Sequence, residues 1–351
     1  MRVVVTGATG NIGTSVVRAL SGDQQVSSVV GLARRPPGDE DRPGGDKVSW
    51  VEGDLVSDAL RPHLDGADVL VHLAWLFQPS HRPTVTWQVN AIGTDRLLRV
   101  ARDAGVGAVV YASSVGAYSP HPGRYVDETW PTHSLPTAAY GREKAYVERL
   151  LDAFEADRPG TRVVRLRPAF VFQRGAATEQ RRLFAGPFLP GRLAAPGRLP
   201  FLPLPKGLQF QAVHSEDVAE AFRLAVTGDA EGAFNVASGP VIDKDVLAEV
   251  FETRVVELPR VVVRAGLAAA WRVHLVPVEP ALLDLFLELP LLDTTRARDL
   301  LGWSPRHSAV DALRELLAGM AEGAGLPTAA LRPDSAAGRL DEVRRGVGER
   351  P

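Results

Sequence analysis

The chain has 351 residues, with 40 Lys plus Arg against 42 Asp plus Glu and a formal net charge of -2. That balance, without a long basic stripe, argues against a nucleic-acid partner. Cysteine is absent, which excludes disulfides, thiolate metal sites and a cysteine nucleophile, and no metal is expected.

The chain runs at once into a β-branched strand, Arg2–Thr6, without the apolar stretch and cleavage site of a signal peptide. The longest apolar temptation, Ala265 to Ala270, is bounded by Arg264 and Arg272, so a cytoplasmic protein with no membrane contact is expected. Directly after the strand comes Thr6-Gly7-Ala8-Thr9-Gly10-Asn11-Ile12-Gly13, leading into a helical pattern over Ile12–Leu20. Glycines there let the backbone turn tightly and approach a pyrophosphate, whose charge faces the helix N-terminus. The spacing is G-x-x-G-x-x-G and not the general G-x-G-x-x-G, but the strand-turn-helix context predicts a dinucleotide site.

The second strand, Val26–Leu32, leads into Gly31-Leu32-Ala33-Arg34-Arg35. A carboxylate at that end would hold the ribose 2′-hydroxyl of NAD and repel a 2′-phosphate. No acid is present, and Arg34 and Arg35 suit bidentate phosphate contact, so NADP(H) is expected in preference to NAD. The alternative is that both arginines solvate a loop running into Pro36-Pro37-Gly38-Asp39. After the third strand, Val48–Glu52, Asp54-Leu55 is placed to meet the adenine edge, although Asp54 serves equally well as a helix N-cap. The fourth strand, Val69–His72, ends in Leu73-Ala74, small enough for close passage of the backbone past a cofactor, and His72 reads as a packed strand histidine.

A helical pattern over Thr86–Ala104 precedes a fifth strand, Ala108–Ala112, and the pair Ser113-Ser114. The next helix, Tyr140–Phe154, carries Tyr140 and Lys144 at i and i+4, on one face. A free tyrosine has a pKa of about 10 and is roughly one part in a thousand ionised at neutral pH. A nearby ammonium favours the phenolate and brings it toward the range of a proton shuttle. A sixth strand, Arg162–Leu166, completes an alternation that predicts an α/β fold with a doubly wound parallel sheet of Rossmann type.

After Pro168 the texture changes. Arg174 to Lys206 carries repeated Pro and Gly with little periodicity. A helix start at Ser215-Glu216-Asp217, a strand at Ala233–Val236 and helices at Asp243–Glu252, Arg260–Val273 and Ser308–Met320 follow. The expected organisation is a nucleotide-binding domain over 1–170, with returning segments near 208–240. A smaller C-terminal α/β substrate cap over 171–328 and a disordered, charged tail over 329–351 complete it. Trp75, Phe77, Trp87, Trp130, Phe170 and Phe172 fall in or near segments that line the cleft, as pocket or as core. Arg174, Arg181 and Arg182 flank the same region, either to clamp a diphosphate or carboxylate or to solvate the surface.

Taken together these residues resemble the extended short-chain dehydrogenase/reductase superfamily, the NAD-dependent epimerase/dehydratase group, over Met1 to Leu317. The resemblance rests on Gly7 to Gly13, His72-Leu73-Ala74, Asn90 in Val89-Asn90-Ala91-Ile92-Gly93-Thr94, Tyr111-Ala112-Ser113-Ser114 and Tyr140 to Lys144. Later matches are Arg167-Pro168, His214 to Ala219, Phe234-Asn235-Val236, and Asp293-Thr294-Thr295 leading into Leu301 to Pro305. It implies that Ser114, with Ser113 as competitor, hydrogen-bonds the reacting oxygen while Tyr140 exchanges its proton. Lys144 would lower the tyrosine pKa and hold the nicotinamide ribose, and Asn90 and Pro168 would lie along the nicotinamide half. His214 and Asp217 are expected to fix the chain's return to the main domain. A homodimer packing the Thr86–Ala104 and Tyr140–Phe154 helices is also implied.

The sugar-nucleotide dehydratases of this superfamily resemble S-T-D-E-V-Y-G after the fifth strand. Here Ser113-Ser114-Val115-Gly116-Ala117-Tyr118 lacks the acids, so dehydration is not expected. The expected activity is an NAD(P)-dependent oxidoreductase moving hydride between nicotinamide and an alcohol or carbonyl carbon of a small, apolar or aromatic substrate. A sugar-nucleotide epimerase and a non-catalytic NADP-binding sensor are the alternatives.

Overall fold

Runs of β-branched residues dictate the frame. In the computed structural model, which describes residues 1–38 and 42–349, seven of them form one sheet. They are β1 (Arg2–Thr6), β2 (Ser28–Ala33), β3 (Val48–Glu52), β4 (Val69–His72), β5 (Ala108–Ala112), β6 (Arg162–Pro168) and β7 (Gly232–Val236). Their order is β7-β6-β5-β4-β1-β2-β3, and every pairing is parallel. The order reverses between β1 and β4, where Thr6 pairs with His72, so a crevice opens beyond the carboxyl ends of these two strands. Asp39 lies outside the described residues.

Both sheet faces are covered, which is why β1, β4 and β5 are apolar almost throughout. On one face the Asn11–Gly22 and Ser215–Thr227 helices pack together, with Val16, Val17, Leu20 and Phe222 buried in a shared core. Phe222 and Phe234 are fully buried and contribute roughly 1.5–3 kcal/mol each. On the other face Leu97, Leu98, Val147, Leu151 and Phe154 come from the Gly93–Ala104 and Ala139–Asp157 helices.

The chain leaves the main sheet after β6 and returns in β7. Between and beyond them, Phe170–Phe172, Phe210–His214 and Ser238–Ile242 make a three-stranded sheet, covered by the Ala309–Glu322 helix. A second, parallel pair joins Leu202–Pro205 to Val255–Leu258, with Leu202 and Leu204 packed against the same core.

The stretch from 329 onward departs from the expected disorder. Ala336–Arg345 is helical, Leu331 is fully buried and Val347 is 5% exposed. Composition missed this because the charges are paired: Glu342 meets the buried Arg181 at 2.5 Å, and Arg339 chelates Asp334. Arg350 and Pro351 lie outside the described residues.

Candidate active site

The glycine-rich loop fits a dinucleotide for steric reasons legible at single atoms. Gly7 has φ +70, and a Cβ there would stand 2.6 Å from the Ala74 nitrogen. A Cβ on Gly13 would stand 2.2 Å from the Gly7 carbonyl oxygen. Only glycine allows the loop after β1 to lie against Leu73-Ala74 and the first helix to start so close to the strand. The N-terminus of the Asn11–Gly22 helix thereby opens into the crevice, as an anionic diphosphate requires. The loop is tied down from outside the main sheet: Gln173 Nε2 donates to the Asn11 carbonyl at 2.7 Å, and Thr328 Oγ1 to that of Thr9 at 2.9 Å.

The crevice holds two adjoining chambers. One, of about 220 Å³, is lined by Asn11, Ile12, Gly13, Ser114, Tyr140, Lys144 and Pro168. The other, of about 180 Å³, is lined by Thr9, Arg34, Arg35, Asp54, Leu55 and Ala74. Gly7, Gly10, Leu73, Trp75, Phe77, Glu179 and Leu183 border both and form the waist between them. Nearly all the cofactor positions expected from the sequence therefore line one continuous cleft. Two do not: Ala8 is fully buried, and Asn90 is 1% exposed and off the cavity wall. Asn90 sits on a π-helical turn, Gln88–Ile92, which aims its amide at the backbone of Leu76 and at Glu143. Its side chain holds the segment behind Trp75 and lines neither chamber.

Ser114 caps a short 3₁₀ turn, its Oγ accepting from the Gly116 amide at 3.0 Å, and it lines the same chamber as Tyr140. Ser113 turns the other way and donates to the buried Glu148 at 2.6 Å. The Tyr140 ring is stacked on Phe77 with centroids 4.9 Å apart, and Trp75 meets it edge-on at 5.8 Å. Burial pushes the phenol up to about 12, with the nearby Ser114 hydroxyl opposing.

In this structure the Lys144 amine is held by groups other than Tyr140. Its Nζ donates to the Ala112 carbonyl at 2.7 Å and to the Tyr111 hydroxyl at 3.4 Å, and lies 3.5 Å from the centroid of the Trp75 ring. Burial holds its pKa well below the usual lysine range, with Glu148 and Glu143 opposing. The i,i+4 spacing puts both groups on one helix face, but a carbonyl, a phenol and an indole occupy the ammonium before the tyrosine can.

His72 is the packed strand histidine expected, bonded through its two ring nitrogens to Thr6 and Thr94 and driven down to about 3 by burial. Arg174 pairs with Glu322, and Arg181 is buried against Glu342 and Asp334. Neither lines the chamber that contains Tyr140. That chamber also carries Glu179 and Phe184, which sequence reasoning missed because the 174–206 stretch has no periodicity to place them, and Phe286 from the Pro280–Glu288 helix. Burial pushes Glu179 up to about 7, with Arg182 opposing.

Three ligand-type residues, His214, Glu216 and His307, offer atoms within 4.8 Å of one another. The His214 Nδ1 lone pair accepts the Glu216 amide at 3.2 Å, capping the Ser215–Thr227 helix, and Asp217 accepts the Arg306 and His307 amides. These residues fasten the chain, as expected for His214 and Asp217. Among the described residues no helix is long and apolar enough to cross a membrane.

Comparison with known proteins agrees with this architecture. The model of the NAD dependent epimerase/dehydratase family matches residues 3–237. A sterol-4-alpha-carboxylate 3-dehydrogenase, decarboxylating, of Saccharomyces cerevisiae is 27% identical over 317 residues, 79% of this chain and 84% of that protein. Sterol demethylase protein B of Methylococcus capsulatus is 30% identical over 242 residues, 65% of this chain and 70% of its own length. A Synechocystis relative carrying a dihydroflavonol 4-reductase name is 31% identical over 172 residues, and the match spans only 48% of its length. Among solved structures, a UDP-glucose-4-epimerase from Stenotrophomonas maltophila with bound NAD and formylated UDP-arabinopyranose superposes with a TM-score of 0.68 at 22% identity. That match covers 91% of this chain and 98% of the epimerase, a likeness of fold.

Proposed function

Because the chain belongs to the NAD-dependent epimerase/dehydratase family, we propose that this enzyme is an NAD(P)-dependent dehydrogenase/reductase of an apolar, ring-bearing alcohol or ketone, preferring NADP(H). The carrying observation is the wall of the Tyr140 chamber. Trp75, Phe77, Phe170, Phe184 and Phe286 line it, and it offers no arginine to the diphosphate of a sugar nucleotide. Two relatives carry sterol names, in keeping with a substrate of that character.

In this reading bound nicotinamide supplies or accepts the hydride. The Ser114 hydroxyl holds the reacting oxygen, and the Tyr140 phenol, kept protonated by burial, exchanges a proton at that oxygen. The aromatic wall excludes water, which strengthens both hydrogen bonds. Lys144, once released from Trp75, holds a ribose hydroxyl. Arg34 and Arg35, at the far end of the cleft, favour a 2′-phosphate.

The test is consumption of NADPH by purified enzyme with hydrophobic cyclic ketones on one side and UDP-sugars on the other. Stoichiometric oxidation with the ketones supports the reading. Interconversion of UDP-sugars with no net NADPH consumption would refute it.

A further inference from the structure

We propose that Arg182 completes, with Arg35, a subsite for a phosphate monoester at the adenosine end of the cleft. Its ligand is the 2′-phosphate of NADP(H), and the inference rests on the NADP(H) reading above. Arg35 follows β2, whereas Arg182 stands on a π-helical turn, Arg181–Ala185, of the excursion after β6. The fold brings both to the wall of the chamber that contains Asp54 and Ala74. Both also line the adjoining cavity under the C-terminal segment.

Arg182 is short of partners. Among the described residues its Nε–H is buried without an acceptor, and its guanidinium makes a single hydrogen bond, a 3.5 Å contact from Nη2 to the Ala330 carbonyl. Among the described residues no carboxylate lies within 4.0 Å of it, although Glu179 and Glu342 face it from farther off. The neighbouring Arg181 also leaves its Nε–H without an acceptor among the described residues, but its terminal nitrogens are paired, donating to Glu342 at 2.5 Å and to the Gly186 carbonyl at 2.7 Å. Burial lowers the Arg182 pKa, Glu179 and Glu342 oppose that, and the charges of Arg181 and Arg35 add to the lowering. Two guanidiniums from separate elements, facing one cavity with a buried donor left over, form a fork for a dianion with several acceptor oxygens. A 2′-phosphate provides that and a 2′-hydroxyl does not.

The experiment titrates NADPH, NADH, 2′,5′-ADP and 5′-ADP against the parent enzyme and the variants Arg182→Gln and Arg182→Lys. Arg182→Gln should weaken NADPH and 2′,5′-ADP by roughly 10- to 100-fold while NADH and 5′-ADP stay within about twofold. Arg182→Lys, which keeps the charge but not the fork, should fall between, and it serves as the test should the glutamine variant fail to fold. Equal weakening of NADPH and NADH would overturn the 2′-phosphate assignment in favour of a pyrophosphate contact. An undiminished preference for NADPH in both variants would overturn the role of Arg182 alone. A parent enzyme with no preference for NADPH would overturn the NADP(H) reading on which the inference stands.

Discussion

Lys144 Nζ lies 3.5 Å from the centroid of the Trp75 indole, and the indole Nε1–H is itself buried without an acceptor. That contact and the hydrogen bonds to Ala112 and Tyr111 hold the amine until something displaces it. Trp75 also borders both chambers of the cleft, so a dinucleotide spanning them passes this residue. We predict that oxidised NAD changes the indole emission, and that most of the change disappears in Trp75→Phe while affinity is kept within about threefold. A full-sized signal in that variant would show that nucleotide leaves the Trp75–Lys144 contact untouched.

Glu179 gives nucleotide binding a pH dependence. Its carboxyl stands half-buried at the waist and is pushed up to about 7 by desolvation, so it is neutral below that pH and anionic above it. The anion faces the path of an anionic dinucleotide. Affinity should therefore fall as pH rises through 7, by up to about tenfold per unit for one linked proton. Glu179→Gln should bind with a flat profile from pH 6 to 8. A variant that keeps the slope of the parent would rule out Glu179 as its source.

Gly116 sets the position of the tyrosine. A Cβ there would stand 2.8 Å from Tyr140 Cε1 and 3.4 Å from Ser114 Oγ. Gly116→Ala must push the ring away from the serine, and a displacement of that size costs roughly 100-fold in turnover. Circular dichroism and nucleotide affinity should stay near those of the parent. Unchanged turnover would mean that the Ser114–Tyr140 geometry does not set the rate.

His72 links folding to acid. Its pKa is driven to about 3 in the folded chain against 6.5 for a free imidazole, so the unfolded chain binds the extra proton between those values. Stability contributed by the neutral ring is present above pH 6.5 and is lost as pH falls toward 3, at about 1.4 kcal/mol per pH unit for one proton. Urea melts of His72→Gln should show a shallower decline over that window, and a slope equal to that of the parent would remove His72 as the cause.

What the sequence made legible was local. The apolar runs named the strands of the main sheet, and Gly7 to Gly13 announced the crevice because a turn between strand and helix is set by neighbours in the chain. The partners of Lys144 were not legible: Trp75, Tyr111 and Ala112 reach it from other elements, and only the fold decides that they get there before Tyr140. Asn90 came only from the family resemblance; its partners, the Leu76 backbone and Glu143, lie on other segments that the sequence does not bring together. The tail read as disordered because its charges were counted without their partners; Glu342 is satisfied by Arg181, on the excursion after β6.

The most direct measurement compares Tyr140→Phe with the parent enzyme, following NADPH oxidation with an apolar ketone and nucleotide affinity in the same preparation. Loss of the phenolic proton should lower turnover by about 10²- to 10⁴-fold while nucleotide affinity changes by less than about twofold. Turnover within about tenfold of the parent would contradict the assignment of Tyr140 as the group that exchanges a proton with the reacting oxygen.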